Sequence, residues 1–274
     1  MKRETFGASI RGATHKKNGK PCQDYLKSWD VSERLQILSV ADGHGSDQSP
    51  KSDQGSQIAA EAFCNTMRQY LLNFRENPAE LVTFLNREGS TTFAQDVCRK
   101  WHEKVVNEYG KEYHKDLKQE LSPAEQNEIY KLYGSTLLGL LITDTYVFAF
   151  QIGDGDIMRI DSNGATPVVE SEKILGTETH SLSSPNAWRN AVSSVWRRKD
   201  DEGLPYMYML TTDGFANSYT SDEEFRKTCQ GYFDTVREHG VDAVKGNLEK
   251  WLNETSEFGC GDDITALISY YSAE

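Results

Sequence analysis

Apolar residues recur at three- and four-residue spacing along one long segment, Ser56 to Phe74. This spacing is typical of a helix with a single buried face. A second helix is predicted from Thr91 to about Leu117, because its larger apolar residues share one side and charged residues occupy the rest. The residues Ser122-Pro-Ala-Glu125 have the form of a capping box with proline at the first helical position, which predicts the start of another helix.

Short, nearly continuous apolar runs predict the β-strands. Ser135 to Thr143 and Tyr146 to Ile152 are separated only by Asp144-Thr145, which indicates a tight hairpin. Further strands are predicted at Thr5–Ile10, Leu35–Ala41, Ile157–Ile160, Ala165–Glu170, Tyr206–Thr212 and Ile264–Tyr271, and a helical pattern returns between Asp222 and Leu252. Runs of strands beside long helices, without regular alternation, favour an α+β fold, and a β-sandwich flanked by helices fits the pattern.

Composition and charge narrow the functional classes. The 274 residues are 37% hydrophobic and 26% charged, without a linker-like stretch or an internal repeat, so we expect one domain spanning 1–274. The net charge of -12 argues against nucleic acid as a partner, since such binding depends on excess Lys and Arg. No apolar run approaches the length of a membrane span, and the five cysteines are scattered, so we expect a cytoplasmic protein with reduced thiols that does not bind membranes.

Four aspartates directly adjoin predicted strands, namely Asp42, Asp154, Asp213 and Asp262. Any one of them alone is more simply explained as a turn residue, because Asp-Gly is a common turn pair. Four carboxylates at strand ends of one fold would repel each other, unless they share cations. Mg²⁺ and Mn²⁺ select oxygen ligands, whereas the absence of paired Cys and His disfavours zinc.

Six motifs in order resemble the bacterial form of the metal-dependent type 2C protein phosphatases. They are Gly12 through Gln23-Asp24, Val40-Ala-Asp-Gly-His-Gly45, Gly134-Ser-Thr136, Ile152-Gly-Asp154, Thr212-Asp-Gly214 and Gly261-Asp-Asp-Ile-Thr265. The resemblance implies a central antiparallel β-sandwich flanked by helices on both faces. It also implies a phosphoserine and phosphothreonine phosphatase that opposes a Ser/Thr kinase on phosphorylated proteins, and we expect it to be a monomer.

The resemblance further implies roles for individual residues. Asp42 would bridge two Mn²⁺ or Mg²⁺ ions. The backbone carbonyl of Gly43 would complete one metal site, and Asp213 and Asp262 would complete the other. Asp154 with Asp213 would hold a weaker third ion. Asp24 would lie just outside these ligands. A water bridging the metals would attack phosphorus directly, and His44 would protonate the leaving alkoxide. The other histidines, including His15, are interpreted as solvent-facing or packing residues.

The sequence departs from the family pattern at the phosphate-binding position. Many members have an arginine five residues before the aspartate that corresponds to Asp24, and Gly19 stands there in this chain. Lys16, Lys17, Lys20 or Arg11 are the candidates to replace it, and spacing does not choose among them. The missing arginine leaves open a catalytically silent module that binds phosphoproteins. A hydrolase of small phosphate esters is a further alternative.

Overall fold

The computed structural model describes residues 2–113, 121–169, 179–198 and 203–273. Its strands are β1 (Lys2–Ile10), β2 (Tyr25–Ser32), β3 (Leu35–Ala41), β4 (Leu137–Ile142), β5 (Tyr146–Ile152), β6 (Asp156–Asp161), β7 (Gly164–Pro167), β8 (Val192–Arg197), β9 (Tyr206–Thr211) and β10 (Ile264–Ser272). Its helices are α1 (Ala13–Asn18), α2 (Ser52–Asn73), α3 (Pro78–Glu88), α4 (Thr92–Glu112), α5 (Pro123–Leu132), α6 (Asp213–Ala216), α7 (Asp222–His239), α8 (Val241–Lys245) and α9 (Leu248–Phe258), with a 3-10 turn at Ala187–Asn190.

The strands form two five-stranded antiparallel sheets. Sheet I has the order β1-β10-β9-β6-β7, and sheet II has the order β2-β3-β4-β5-β8. Between the sheets lies an apolar core that includes Leu38, Leu140, Leu210 and Leu267. The edge strands are β1 and β7 in sheet I and β2 and β8 in sheet II, and among the described residues no further strand pairs with them.

Helices cover the outer face of each sheet. Helices α2, α3 and α4 pack on sheet II through a core that includes Phe63, Phe93 and Phe148. On sheet I, helices α7, α8 and α9 pack through residues such as Phe233 and Leu252. Burial of these faces supplies the main driving force for the layered arrangement. The predicted α+β sandwich with helices on both faces is therefore confirmed.

Most predicted elements are confirmed, and the misses have physical causes. The hairpin of β4 and β5 and the capping box at Ser122 are both present. Strands β2 and β8 were not predicted, because as sheet edges they carry many polar residues. The helical pattern from Asp222 onwards is divided into α7, α8 and α9 at Gly240 and Gly246. The predicted end of the second helix near Leu117 and the end of the strand at Glu170 lie outside the described residues.

Across the described ranges, no helix combines the length and the apolar character that crossing a membrane requires.

Candidate metal centre

The four predicted aspartates lie at the same end of the sandwich. Asp42 directly follows β3 and Asp154 lies two residues beyond β5, both in sheet II. Asp213 begins α6 just after β9, and Asp262 precedes β10, both in sheet I. Gly153 has φ +116°, a conformation that side chains other than glycine rarely adopt, and this lets the chain turn sharply before Asp154. Strand ends from both sheets therefore bring acidic side chains to one edge.

Backbone hydrogen bonds fix the loop that carries Asp42. The Asp42 amide donates to Thr136 Oγ1 at 3.0 Å, and the Thr136 amide donates to the Asp42 carbonyl at 2.8 Å. The next amide, that of Gly43, donates to the Gln23 carbonyl at 3.1 Å. A Cβ at Gly43 would lie 2.5 Å from the Ser52 carbonyl oxygen, so only glycine fits there. The loop is thus held rigidly at the position where the resemblance places a metal-binding carbonyl.

The carboxyl groups of Asp42 and Asp213 lie close enough to interact directly. Burial, followed by the charge of Asp24, raises the pKa of Asp42 well above its usual value, and burial also raises the pKa of Asp213. Two carboxylates this close repel each other unless one of them holds a proton or a cation lies beside them. Asp262 adds to the negative potential at both positions. This pair is therefore a place where positive charge, whether a proton or a cation, is needed.

Asp24 lies beside this pair, deeply buried. Its Oδ2 accepts a hydrogen bond from the Thr212 hydroxyl at 2.7 Å, whereas its Oδ1 has no hydrogen-bond partner among the described residues. Burial, with the charge of Asp263 next in size, raises the pKa of Asp24 well above its usual value. A buried carboxylate oxygen without a partner is costly in free energy. Its surroundings therefore also favour a positive charge nearby.

His15 and Asp263 form a second contact that the sequence did not reveal. His15 Nδ1 lies 2.8 Å from Asp263 Oδ1, and His15 Nε2 lies 3.9 Å from Asp262 Oδ1. Asp263 also accepts hydrogen bonds from the amides of Gly12 and Gln23, both at 2.6 Å. This carboxylate thus ties the first motif to the last. The run of two acids before β10 was the available signal for it.

His44 lies between the aspartate loop and Asp154. Its imidazole packs so closely on Gly134 that a Cβ there would overlap the ring. Burial lowers the pKa of His44, and the negative charge of Asp154 opposes this shift. Asp154 in turn accepts a short hydrogen bond from the Thr179 hydroxyl. A half-buried imidazole close to a carboxylate can hold or release a proton at this edge of the site.

The predicted residues therefore converge, and their roles stay a prediction. Asp42 and Asp213 are in contact, and the charges of Asp24, Asp262 and Asp154 act on one or both of them. In the described part of the chain, however, no three His, Cys, Asp or Glu side chains are already arranged as a set of metal ligands. Asp262 is the outlying member, since half of its side chain is exposed.

The family model described as "Protein phosphatase 2C" matches residues 11–253. No curated protein resembles the chain significantly in sequence.

Solved structures share the fold over nearly the whole chain. A bacterial serine phosphatase superposes with a TM-score of 0.62 at 13% identity, with 100% of both chains covered. The serine/threonine phosphatase of S. agalactiae has a TM-score of 0.59 at 15% identity, covering 99% of this chain and 100% of its own. The catalytic domain of the phosphatase PstP, solved with two manganese ions, has a TM-score of 0.57 at 13% identity, covering 99% of both chains. At these identities the likeness establishes the fold alone.

Proposed function

Because this chain belongs to the protein phosphatase 2C family, a family of protein phosphatases, we propose that it hydrolyses phosphoserine and phosphothreonine in protein substrates with the help of Mn²⁺ or Mg²⁺. The observation that carries the proposal is that the buried carboxyl groups of Asp42 and Asp213, which come from two different predicted metal-binding motifs, interact directly.

The donor atoms around this pair fit hard divalent cations. All of the predicted ligands offer oxygen, and Asp24 adds a buried carboxylate oxygen without a described partner. We propose that Asp42, the Gly43 carbonyl, Asp213 and Asp262 hold two ions, and that Asp154 with Asp213 holds a weaker third. Asp262 would then have to turn its half-exposed carboxylate towards the pair. When bound, the ions would supply a reactive bridging water for direct attack on phosphorus and offset the charge of the phosphoryl oxygens.

His44 supplies the proton that the leaving Ser or Thr alkoxide needs. Its burial favours the neutral imidazole, and the carboxylate of Asp154 counteracts this by favouring the protonated form. The packing of the ring against Gly134 fixes its orientation, which a proton donor requires. We therefore assign Asp154 a second task, which is to keep a proton available on His44.

Lys20 is the best candidate to bind the substrate phosphate in place of the missing arginine. Its Nζ donates to the carbonyl of Gly45 at 2.6 Å, directly beside His44, and lies 3.4 Å from Asp47 Oδ1. Lys16, by contrast, extends away and donates to Asn253 Oδ1. The Lys20 side chain remains one-third exposed, and its ammonium group keeps donor capacity for an anion.

The biological setting follows from the same proposal. We propose that residues 1–274 act as one catalytic domain, as a monomer in the cytoplasm, and that the protein opposes a Ser/Thr kinase.

A phosphothreonine peptide assay with Mn²⁺ tests the function. We expect turnover by the wild-type protein and a loss of at least a hundredfold in Asp42→Ala and Asp213→Ala, with Asp222→Ala on the exposed start of α7 as the matched control. Tight peptide binding without phosphate release would instead identify a silent binding module. Faster turnover of small phosphate esters than of peptides would identify a small-molecule hydrolase.

A further inference from the structure

Asp263 is buried, although its neighbour Asp262 is half exposed. Only 4% of Asp263 is accessible to solvent. Its Oδ1 accepts a hydrogen bond from the Gly12 amide and its Oδ2 accepts one from the Gln23 amide, both at 2.6 Å. A buried carboxylate is costly unless hydrogen bonds compensate for its lost hydration. For Asp263 this compensation comes from backbone donors at the other end of the chain, since Gln23 is 240 positions away.

His15 packs against the same carboxylate. Its Nδ1 lies 2.8 Å from Asp263 Oδ1, and the whole residue is 8% exposed. The other ring nitrogen faces the loop after β3, because a Cβ at Gly45 would lie 3.4 Å from His15 Nε2. The same nitrogen lies 3.9 Å from Asp262 Oδ1, which is beyond hydrogen-bond distance. The ring therefore fills the space between α1, Asp263 and the loop after β3.

Gln23 connects Asp263 to that loop. The backbone carbonyl of Gln23 accepts a hydrogen bond from the Gly43 amide at 3.1 Å, and its side-chain amide donates to the His44 carbonyl at 3.3 Å. Asp24 follows Gln23 directly in the chain. A displacement of Gln23 would therefore move the predicted carbonyl ligand, the predicted acid and a buried aspartate together.

The contacts of Asp263 cross from one sheet to the other. Asp263 directly precedes β10 of sheet I, whereas Gln23 lies just before β2 of sheet II. The backbone of Asp262 is fixed separately, because Ser256 Oγ donates to its carbonyl at 2.8 Å and accepts from the Ala13 amide at 3.0 Å. A buried, hydrogen-bonded carboxylate can serve merely to hold a fold together. This one joins the two halves of the predicted metal centre.

We propose that Asp263, held in place by His15, is a positioning residue that sets the distance between Asp262 and the Gly43 carbonyl across the two sheets and does not bind metal itself. This role rests on the proposed metal site. Residues behind metal ligands orient those ligands, and the loss of such a residue typically weakens metal binding about 10- to 100-fold. In Asp263→Asn a single acceptor oxygen would face two backbone donors, so one of the joined segments must shift.

Titration of the full chain with Mn²⁺, after removal of bound metal, tests this role without substrate. The electron paramagnetic resonance signal of free Mn²⁺ gives both the number of bound ions and their Kd. We expect Asp263→Asn and His15→Ala to raise the Kd at least about tenfold and to leave the number of ions unchanged. Asp161→Asn is the matched control, because Asp161 is also buried and accepts a backbone hydrogen bond, from Asn163 at 2.8 Å, but lies at the end of β6. This control should lose stability and keep the wild-type Kd.

A double variant tests whether the two residues act as one unit. If His15 acts through Asp263, the Kd of Asp263→Asn combined with His15→Ala should equal that of Asp263→Asn alone. Additive losses would overturn the assigned role of His15. If Asp263→Asn does not fold, His15→Ala decides the question by the same two measurements.

Two results would overturn the role of Asp263 itself. An unchanged Kd with a lower Tm in EDTA would show that Asp263 only stabilises the fold, and the loss of one bound ion in Asp263→Asn would show that it is a ligand. Failure of the wild-type protein to bind Mn²⁺ would refute the proposed metal site and this role with it. Wild-type binding with unchanged variants would refute the positioning role alone.

Discussion

Replacing Asp42 by asparagine should stabilise the metal-free protein and abolish its stabilisation by metal. The wild-type pair at Asp42 and Asp213 needs a proton, because burial and the charges of neighbouring aspartates raise both pKa values. A raised pKa means that the folded state binds more protons than the unfolded state. The stability that this contributes is complete below the unfolded pKa of about 3.9 and is lost as the pH rises through the folded pKa. An asparagine amide donates to Asp213 at every pH.

The magnitudes follow from linkage. Each unit by which the pKa is raised costs the folded protein about 1.4 kcal/mol at neutral pH, or roughly 3 to 6 °C in Tm. In EDTA at pH 7.5, Asp42→Asn should therefore melt at least about 3 °C above the wild-type protein. Mn²⁺ at a hundredfold excess over its Kd should stabilise the wild-type protein by about 2.7 kcal/mol, roughly 5 to 11 °C. The variant should lose most of that shift.

Thermal melts from pH 5 to 8, with EDTA or with Mn²⁺, check both effects. Asp96→Asn is the control of opposite sign, because the hydrogen bond from Tyr70 and the contact with Arg99 lower the pKa of Asp96 despite its partial burial. That variant should lose stability at neutral pH and keep the full Mn²⁺ shift. The reasoning is refuted if Asp42→Asn melts below the wild-type protein in EDTA at pH 7.5, or if it responds to Mn²⁺ as the wild-type protein does.

Three further predictions concern single side chains. Lys20→Ala should raise KM for a phosphopeptide about tenfold. Lys20→Arg should restore part of the wild-type KM, and Lys16→Ala should leave KM unchanged. Equal kinetics of Lys20→Ala and the wild-type protein would exclude a phosphate contact. His44→Ala should lower kcat on phosphothreonine by about 10² or more, but much less on an aryl phosphate, whose leaving group needs no proton; equal losses on both substrates would contradict the role as acid. Gly55→Ala should lower the free energy of unfolding by about 1 to 3 kcal/mol or more, because its Cβ would overlap a backbone carbonyl. Gly231→Ala, in the open middle of α7, should raise it by about 0.5 to 1 kcal/mol. Urea denaturation measures both changes, and a Gly55→Ala variant as stable as the wild-type protein would contradict the packing.

Elements with a strong apolar pattern were predictable, and those shaped by neighbours were not. Helix α2 and the hairpin of β4 and β5 carry their own periodicity, so local sequence was sufficient. Strand β8 contains two serines among its six residues, and the short helix α3 buries only Leu81 and Leu85, so packing against other elements determines both. The acidic site was predictable as a set of strand ends, since an apolar strand that stops at an aspartate delivers it to a sheet edge.

The sequence by itself predicted the α+β fold class, the four strand-end aspartates and the order of motifs, whose resemblance to a known family implied the flanked sandwich. Only the tertiary structure decided which charges meet. It placed Asp263 between His15 and two backbone amides and brought Lys20 to the loop of His44. The physical reason is that electrostatic contacts depend on distances of a few ångströms between segments far apart in the chain, whereas hydrophobic periodicity is a property of neighbouring residues.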